Sequence, residues 1–257
     1  MGRQALAARP FTRRTVAGLT RLALPAAGGA PHLWFASAAD APCDEALLDE
    51  RERARAARIA GPGRRREYVV AHTALRLLLG AYLRCPPAAV RLVRHGCPCC
   101  GEPHGRPAVP GDPVHFSLSH SAGAALLAFA AAPVGTDLQA VPGLRTADRV
   151  ADLLTGRERR ELTARDPRTR PAAFARVWAR KEAYLKGLGT GLGRDPSRDH
   201  LGAGRVPVAP AGWWVRDVRT GSGHAAAVAV RTSSDTPAGV TTQDRTTQDM
   251  CTHGEGR

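Results

Sequence analysis

Of the 37 lysine and arginine residues in this chain, only two are lysine, Lys181 and Lys186, and both fall in the stretch Trp178-Ala-Arg-Lys-Glu-Ala-Tyr-Leu-Lys-Gly187. An ammonium is a compact, strongly hydrated point charge that suits phosphate; a guanidinium fork suits carboxylates. Apolar residues at Phe174, Val177, Trp178, Leu185 and Leu188 predict a helix over Pro171–Leu188, with Gly187 or Gly189 as its stop. Trp178, Glu182 and Lys186 then share one face. Glu182 and Lys186 are either an i,i+4 ion pair or a hard oxygen ligand beside a phosphate-binding cation. Lys181 lies about 100° round the helix and cannot reach the same point. On that geometry Lys181→Arg should cost much less activity than Lys186→Arg.

A second polar cluster lies upstream. Alternating Val114, Phe116 and Leu118 read as a strand that ends in Ser119-His120-Ser121. Ala124–Phe129 and Val134–Leu138 follow as two more strands of a meander, divided by the turn at Gly123 and by Pro133. Asp137 sits within the third. There a carboxylate is either on an exposed face or a ligand held by a rigid element.

The elements that must position these groups are legible on either side. The basic helix Arg65–Leu83, a strand at His32–Phe35, and strands at Trp213–Val218 and His224–Val230 around Gly221-Ser-Gly223 complete the inventory. Phe116-x-Leu-Ser-His-Ser121, Gly135-x-Asp137 and Trp178-x-x-Lys-Glu-Ala-x-x-Lys-Gly187, in that order, resemble the 4'-phosphopantetheinyl transferase superfamily, in its larger surfactin-synthetase-activating type. The glycine-rich Gly187–Gly193, Gly105-Arg-Pro107 and Arg64-Arg-Arg66 fit the same pattern. The resemblance covers roughly residues 30 to 230.

That resemblance implies an α+β fold. It would be a pseudo-twofold pair of lobes, 30–132 and 133–230, each an antiparallel sheet packed by a long helix, with the site between them. It implies transfer of phosphopantetheine from coenzyme A to a serine of an acyl or peptidyl carrier protein, with release of 3',5'-ADP, for polyketide or non-ribosomal peptide synthesis. It implies Mg²⁺, or alternatively Mn²⁺, held by Asp137, Glu182 and the position of Gln139, where the family usually has glutamate. Magnesium prefers hard oxygen donors, and an amide oxygen or a water can replace the carboxylate. The resemblance further places Lys186 on the pyrophosphate. Ser119, His120, Arg106 and one of Arg64–Arg66, taken as Arg66, fall on the rest of coenzyme A. Glu158 is implied as the base that deprotonates the serine; its local alternative is a helix N-terminal acid favoured by the dipole.

The remaining features bound the reading. The net charge of +14 is spread as dispersed arginine with few aromatics. That gives no stacking platform for nucleic acid and suits coenzyme A and acidic carrier domains, bound by a monomer. Residues 1–29 and 231–257 are expected to lack structure. Thr12–Gly18 is similar to a twin-arginine export signal, but Arg21 interrupts the apolar region that must follow; a start placed too far upstream is the preferred reading. No apolar run approaches the roughly 20 residues a membrane span needs, so the expected location is the cytoplasm. Six cysteines do not make a secreted disulfide framework in a chain this long. Cys97, Cys100 and His104 supply three of the four ligands a structural zinc takes, with Cys85 a candidate fourth; a tight turn that aims Arg106 is the simpler reading. Two other classes stand beside the enzyme: a non-catalytic carrier-protein-binding member of the same fold, and a basic nucleic-acid-associated protein.

Overall fold

The computed structural model describes residues 5–221 and 223–232. In chain order the elements are β1 (Leu6–Ala7), β2 (Arg9–Phe11), α1 (Arg13–Ala17), β3 (His32–Ser37), α2 (Glu50–Arg58), α3 (Pro62–Leu83), β4 (Val93–Arg94), β5 (Pro107–Ala108), β6 (His115–Ser121), β7 (Ala124–Ala130), β8 (Val134–Ala140), α4 (Leu144–Val150), α5 (Gly156–Thr163), α6 (Arg170–Leu188), β9 (Trp213–Arg219) and β10 (His224–Arg231). This is a mixed α+β fold. One sheet has the order β2-β3-β7-β6 and the other β1-β9-β10-β8, while β4 and β5 form a small hairpin.

Strand periodicity explains the layering. On β7 every residue is buried. Ala125, Leu127 and Phe129 face α3 with Leu75, Leu78 and Leu79, whereas Leu126, Ala128 and Ala130 pack against Val134, Leu138, Val218 and Val228 of the other sheet. The helices therefore cover the two outer faces. Helix α6 lies on Val215, Ala227 and Ala229. The strands and long helices expected from the sequence are all present; β6 starts one residue later than Val114, and the others run a residue or more beyond the expected bounds.

The N-terminal segment corrects the expectation for residues 1–29. Strand β1 pairs in parallel with β9, and β2 pairs in parallel with β3, so residues 6–11 extend one sheet and then the other. Phe11 is buried edge-on against Trp34, and the Arg9 guanidinium lies over the same indole. Two sheet edges that would otherwise carry unpaired backbone groups are thereby covered. Of the C-terminal stretch 231–257, Arg231 closes β10 and Thr232 donates to Gly212 O; residues 233–257 lie outside the described residues.

The sheets also meet at a seam between the edge strands β6 and β8, which share no backbone ladder. Serines at every second position of β6 replace it. Ser117 Oγ accepts from Thr136 N at 3.0 Å and Ser121 Oγ from Ala140 N at 3.1 Å, while Ser119 Oγ donates to Asp137 Oδ1 at 2.8 Å.

The fit of α6 on β8 is set by glycine. A Cβ on Gly135 would lie 1.9 Å from Ala183 O and 2.3 Å from Gly187 N. Those obstacles are backbone and cannot swing aside. Gly135→Ala should cost at least about 3 kcal/mol, at or above the upper end of ordinary overpacking, read as a lowered denaturant midpoint. A loss under about 1 kcal/mol would show that α6 rides freely on β8.

Candidate active site

Alternation along β8 puts Gly135, Asp137 and Gln139 on the side facing α6, with Val134 and Leu138 in the core between the sheets. Because the helix is so close, its side chains meet the strand at short range. Lys186 Nζ donates to Asp137 Oδ1 at 2.6 Å and to Ser119 Oγ at 3.2 Å. Asp137 is 4 % exposed, and its Oδ2 is buried without a hydrogen-bond partner. A buried carboxylate oxygen left unpaired is costly, so this atom is poised for a partner that arrives from outside.

Glu182, half-buried, lies one turn before Lys186. Burial pushes its carboxyl above the usual range, the negative charge of Asp137 adds to this, and Lys186 opposes it. Two carboxylates in one partly dry site, one with an orphaned oxygen, form a hard, anionic donor set. It suits a divalent cation such as Mg²⁺. Gln139, half-buried, follows Asp137 on the same face of β8.

A second group forms at the β6–β7 turn. His120 Nδ1 lies 2.7 Å from Glu67 Oε1, and Glu67 Oε2 accepts from Gly123 N. The carboxylate accepts, so Nδ1 carries the proton and Nε2 is left for another partner. Arg66 Nε donates to Ala38 O at 2.9 Å, and Ala38 N donates to Gly123 O in that same turn. Arg65 instead pairs with Glu45, and Arg64 turns back to Ala60 O. Of the three arginines, Arg66 is the one that bonds to the residue paired with that turn. Glu67 is the group the sequence analysis passed over. An acid following three arginines was its only signal, and nothing local ties it to a histidine 53 residues away.

Arg106 ends the β4–β5 hairpin, half-buried, 3.7 Å from Asp112 Oδ2 and packed against Gly189 at the C-terminal cap of α6. Burial lowers its proton affinity, and Asp112 offsets part of that.

Glu158 stands apart from this cluster. It is 0 % exposed. Its oxygens accept from Leu201 N, Gly202 N, Thr155 N and Thr155 Oγ1, and Lys181 Nζ lies 2.8 Å from Oε2. Lys181 is itself 1 % exposed and donates to Pro196 O and Asp199 O. This pair clamps the segment after α6 onto α5. A carboxylate so enclosed cannot reach a substrate hydroxyl without breaking these bonds. The ammonium of Lys181 is thus fully enclosed, where a bulkier guanidinium would have to displace its neighbours.

The sequence profile of the 4'-phosphopantetheinyl transferase superfamily matches residues 133–214, the stretch that holds Asp137, Glu182 and Lys186. A holo-[acyl-carrier-protein] synthase of Dinoroseobacter shibae is 33 % identical over an alignment covering 40 % of this chain and 83 % of that protein. The chain belongs to the 4'-phosphopantetheinyl transferase superfamily. Another relative in it, the 4'-phosphopantetheinyl transferase HetI of Nostoc, is 33 % identical over 58 % of this chain and 62 % of its own length. The Bacillus subtilis transferase Sfp is 31 % identical over 35 % of this chain. The match spans 41 % of Sfp.

Two outcomes test this geometry. The folded-state pKa of Glu182 lies above its unfolded value, so stability falls as pH rises from the unfolded pKa through the folded one, and the penalty persists above it. Without divalent metal, Glu182→Gln should raise Tm at neutral pH, with the gain shrinking as pH falls through the raised folded pKa and lost below the ordinary carboxylate range; a lowered Tm at neutral pH would contradict it. Lys181→Arg should cost about 1–3 kcal/mol of stability through overpacking and Lys186→Arg under about 1 kcal/mol, measured by urea unfolding. This concerns stability and leaves the expected order of the activity losses as it was; equal costs would show that the Lys181 site is not closed.

Proposed function

We propose that this chain is a 4'-phosphopantetheinyl transferase that moves phosphopantetheine from coenzyme A to a serine hydroxyl of an acyl or peptidyl carrier protein. The observation that carries the proposal is the buried, partnerless Oδ2 of Asp137 beside a Glu182 of raised proton affinity, with Lys186 bonded to the same aspartate. Family membership supports it, and the relatives named above are a holo-[acyl-carrier-protein] synthase and 4'-phosphopantetheinyl transferases.

Asp137 and Glu182, with Gln139 or a water as third donor, would hold Mg²⁺. The ion would supply charge neutralisation at the pyrophosphate and its leaving group. Lys186, a half-exposed ammonium at the edge of the cluster, would hold the pyrophosphate oxygens as a point charge. His120 through Nε2, Ser119, Arg66 and Arg106 would bind the phosphates and ribose of the adenosine end. The serine oxygen forms a bond to the β-phosphorus, and the bond from that phosphorus to 3',5'-ADP breaks. The serine proton passes to a carboxylate or water at the site. Glu158 with Lys181 positions the segment that follows α6.

The net charge of +14 suits an acidic carrier domain. The two sheet-and-helix units are read as pseudo-twofold lobes, built from 30–132 and 133–230 with the N-terminal strands added. A monomer is the proposed state. Among the described residues no helix is long and apolar enough to cross a membrane. Carrier proteins of polyketide or non-ribosomal peptide synthesis are the proposed acceptors.

Mass spectrometry of apo carrier proteins incubated with the chain, coenzyme A and Mg²⁺ tests the proposal. The expected result is a gain of one phosphopantetheine on the carrier serine. Asp137→Ala should leave less than about a tenth of the rate, a loss above roughly 1.4 kcal/mol of transition-state stabilisation. No gain on any carrier, or full activity in Asp137→Ala, would overturn it. Gln139→Glu should lower the Mg²⁺ concentration for half-maximal rate; an unchanged titration would show that this side chain does not serve the ion.

A further inference from the structure

The β4–β5 hairpin carries a cluster the transfer chemistry does not use. The ligand atoms of Cys97, Cys100 and His104 all lie within 4.8 Å of one another, and Cys100 Sγ is 3.0 Å from His104 Nε2. All three cysteines of the turn are free thiols, Cys97 buried and Cys99 and Cys100 exposed. The candidate fourth ligand, Cys85, packs instead at the edge of the core under α3.

The backbone is wound to present these groups. Cys100 N and Gly101 N both donate to Cys97 O, and Cys99 N donates to Cys97 Sγ at 3.4 Å. Gly101, directly after the second thiol, takes φ 79°, which lets the chain reverse. Cys97 N donates to Glu102 O, and Gly105 packs so tightly that a Cβ would lie 2.7 Å from His95 O and 2.8 Å from Gly96 O. An N–H group aimed at a sulfur favours its thiolate form, and the Cys99 amide is so aimed at Cys97 Sγ. Two exposed thiols contribute nothing to a hydrophobic core, so packing does not account for this arrangement.

We propose that Cys97, Cys100 and His104 bind a zinc ion that closes this hairpin. Soft thiolates with an imidazole in a compact group select Zn²⁺ over harder cations. The Cys99 thiol lies outside the group whose ligand atoms are within 4.8 Å of one another, which leaves the fourth position to a water. Binding displaces one proton from each thiol that ligates. The ion braces a loop whose last residue before β5 is Arg106, with His95 N donating to Arg106 O across the base. The loop tip also lies close enough to the Arg194 guanidinium, in the segment after α6, for its charge to act on Cys99.

Metal content tests this independently of the transferase reading. The full-length chain, purified with reductant and excess Zn²⁺ and then desalted, should retain about one zinc per chain. Cobalt in its place should give a tetrahedral, thiolate-ligated absorption spectrum. Cys97→Ser and Cys100→Ser should each lower retention at least tenfold. His104→Gln, at an exposed position where folding is not at stake, should weaken binding as well. A chain whose thiols titrate as free yet holds no metal would overturn the proposal, as would equal retention by the cysteine variants.

Discussion

How near α6 can lie to β8 determines what the site can do. Gly135 leaves no atom between the strand and the helix backbone at Ala183 and Gly187, and small residues at Ala227 and Ala229 on the neighbouring strand continue the same flat bed. Only at that spacing does the side chain of Lys186 end on Asp137 rather than in solvent. The Gly-x-Asp spacing is thus a packing device and a chemical one in a single stretch. Glycine admits the helix, and the aspartate two residues on, on the same face, receives what the helix brings.

The same closeness accounts for the electrostatics. Desolvated by the helix, Asp137 retains one unpaired oxygen, and Glu182 is pushed toward its protonated form by burial and by Asp137. A single ammonium stands between two carboxylates. Such a cluster is strained as it is and relieved by added positive charge, the condition a divalent-cation site should meet before its ion arrives. The clamp of Glu158 and Lys181 on the far side of α6 is different in kind. Its charges are matched one to one and enclosed by backbone donors and acceptors, so it holds structure and has no capacity left for a ligand.

The parts of this arrangement that repeat along the chain were legible in sequence. The periodicities of Pro171–Leu188 and of the strands from Val114 to Leu138 placed Asp137, Glu182, Lys186 and Ser119 on the elements where they are found. What could not be seen were pairings across distance. Nothing near Lys181 indicates that it is buried against Glu158, and two lysines five residues apart look alike until one is enclosed. The first strands show no alternation because they are two and three residues long; the sheet edges they cover, not their own pattern, hold them in place. The serine alternation of β6 was read as a polar strand end, whereas it bonds one sheet to the other.

The central claim is that Asp137 belongs to a cation site through which this protein engages coenzyme A. Calorimetric titration of coenzyme A with and without Mg²⁺, on the unaltered protein and on Asp137→Asn, tests it most directly. The account predicts that Mg²⁺ tightens binding at least tenfold, about 1.4 kcal/mol, in the unaltered protein and has little effect in Asp137→Asn. An equal Mg²⁺ effect in both proteins, or none in either, would contradict it.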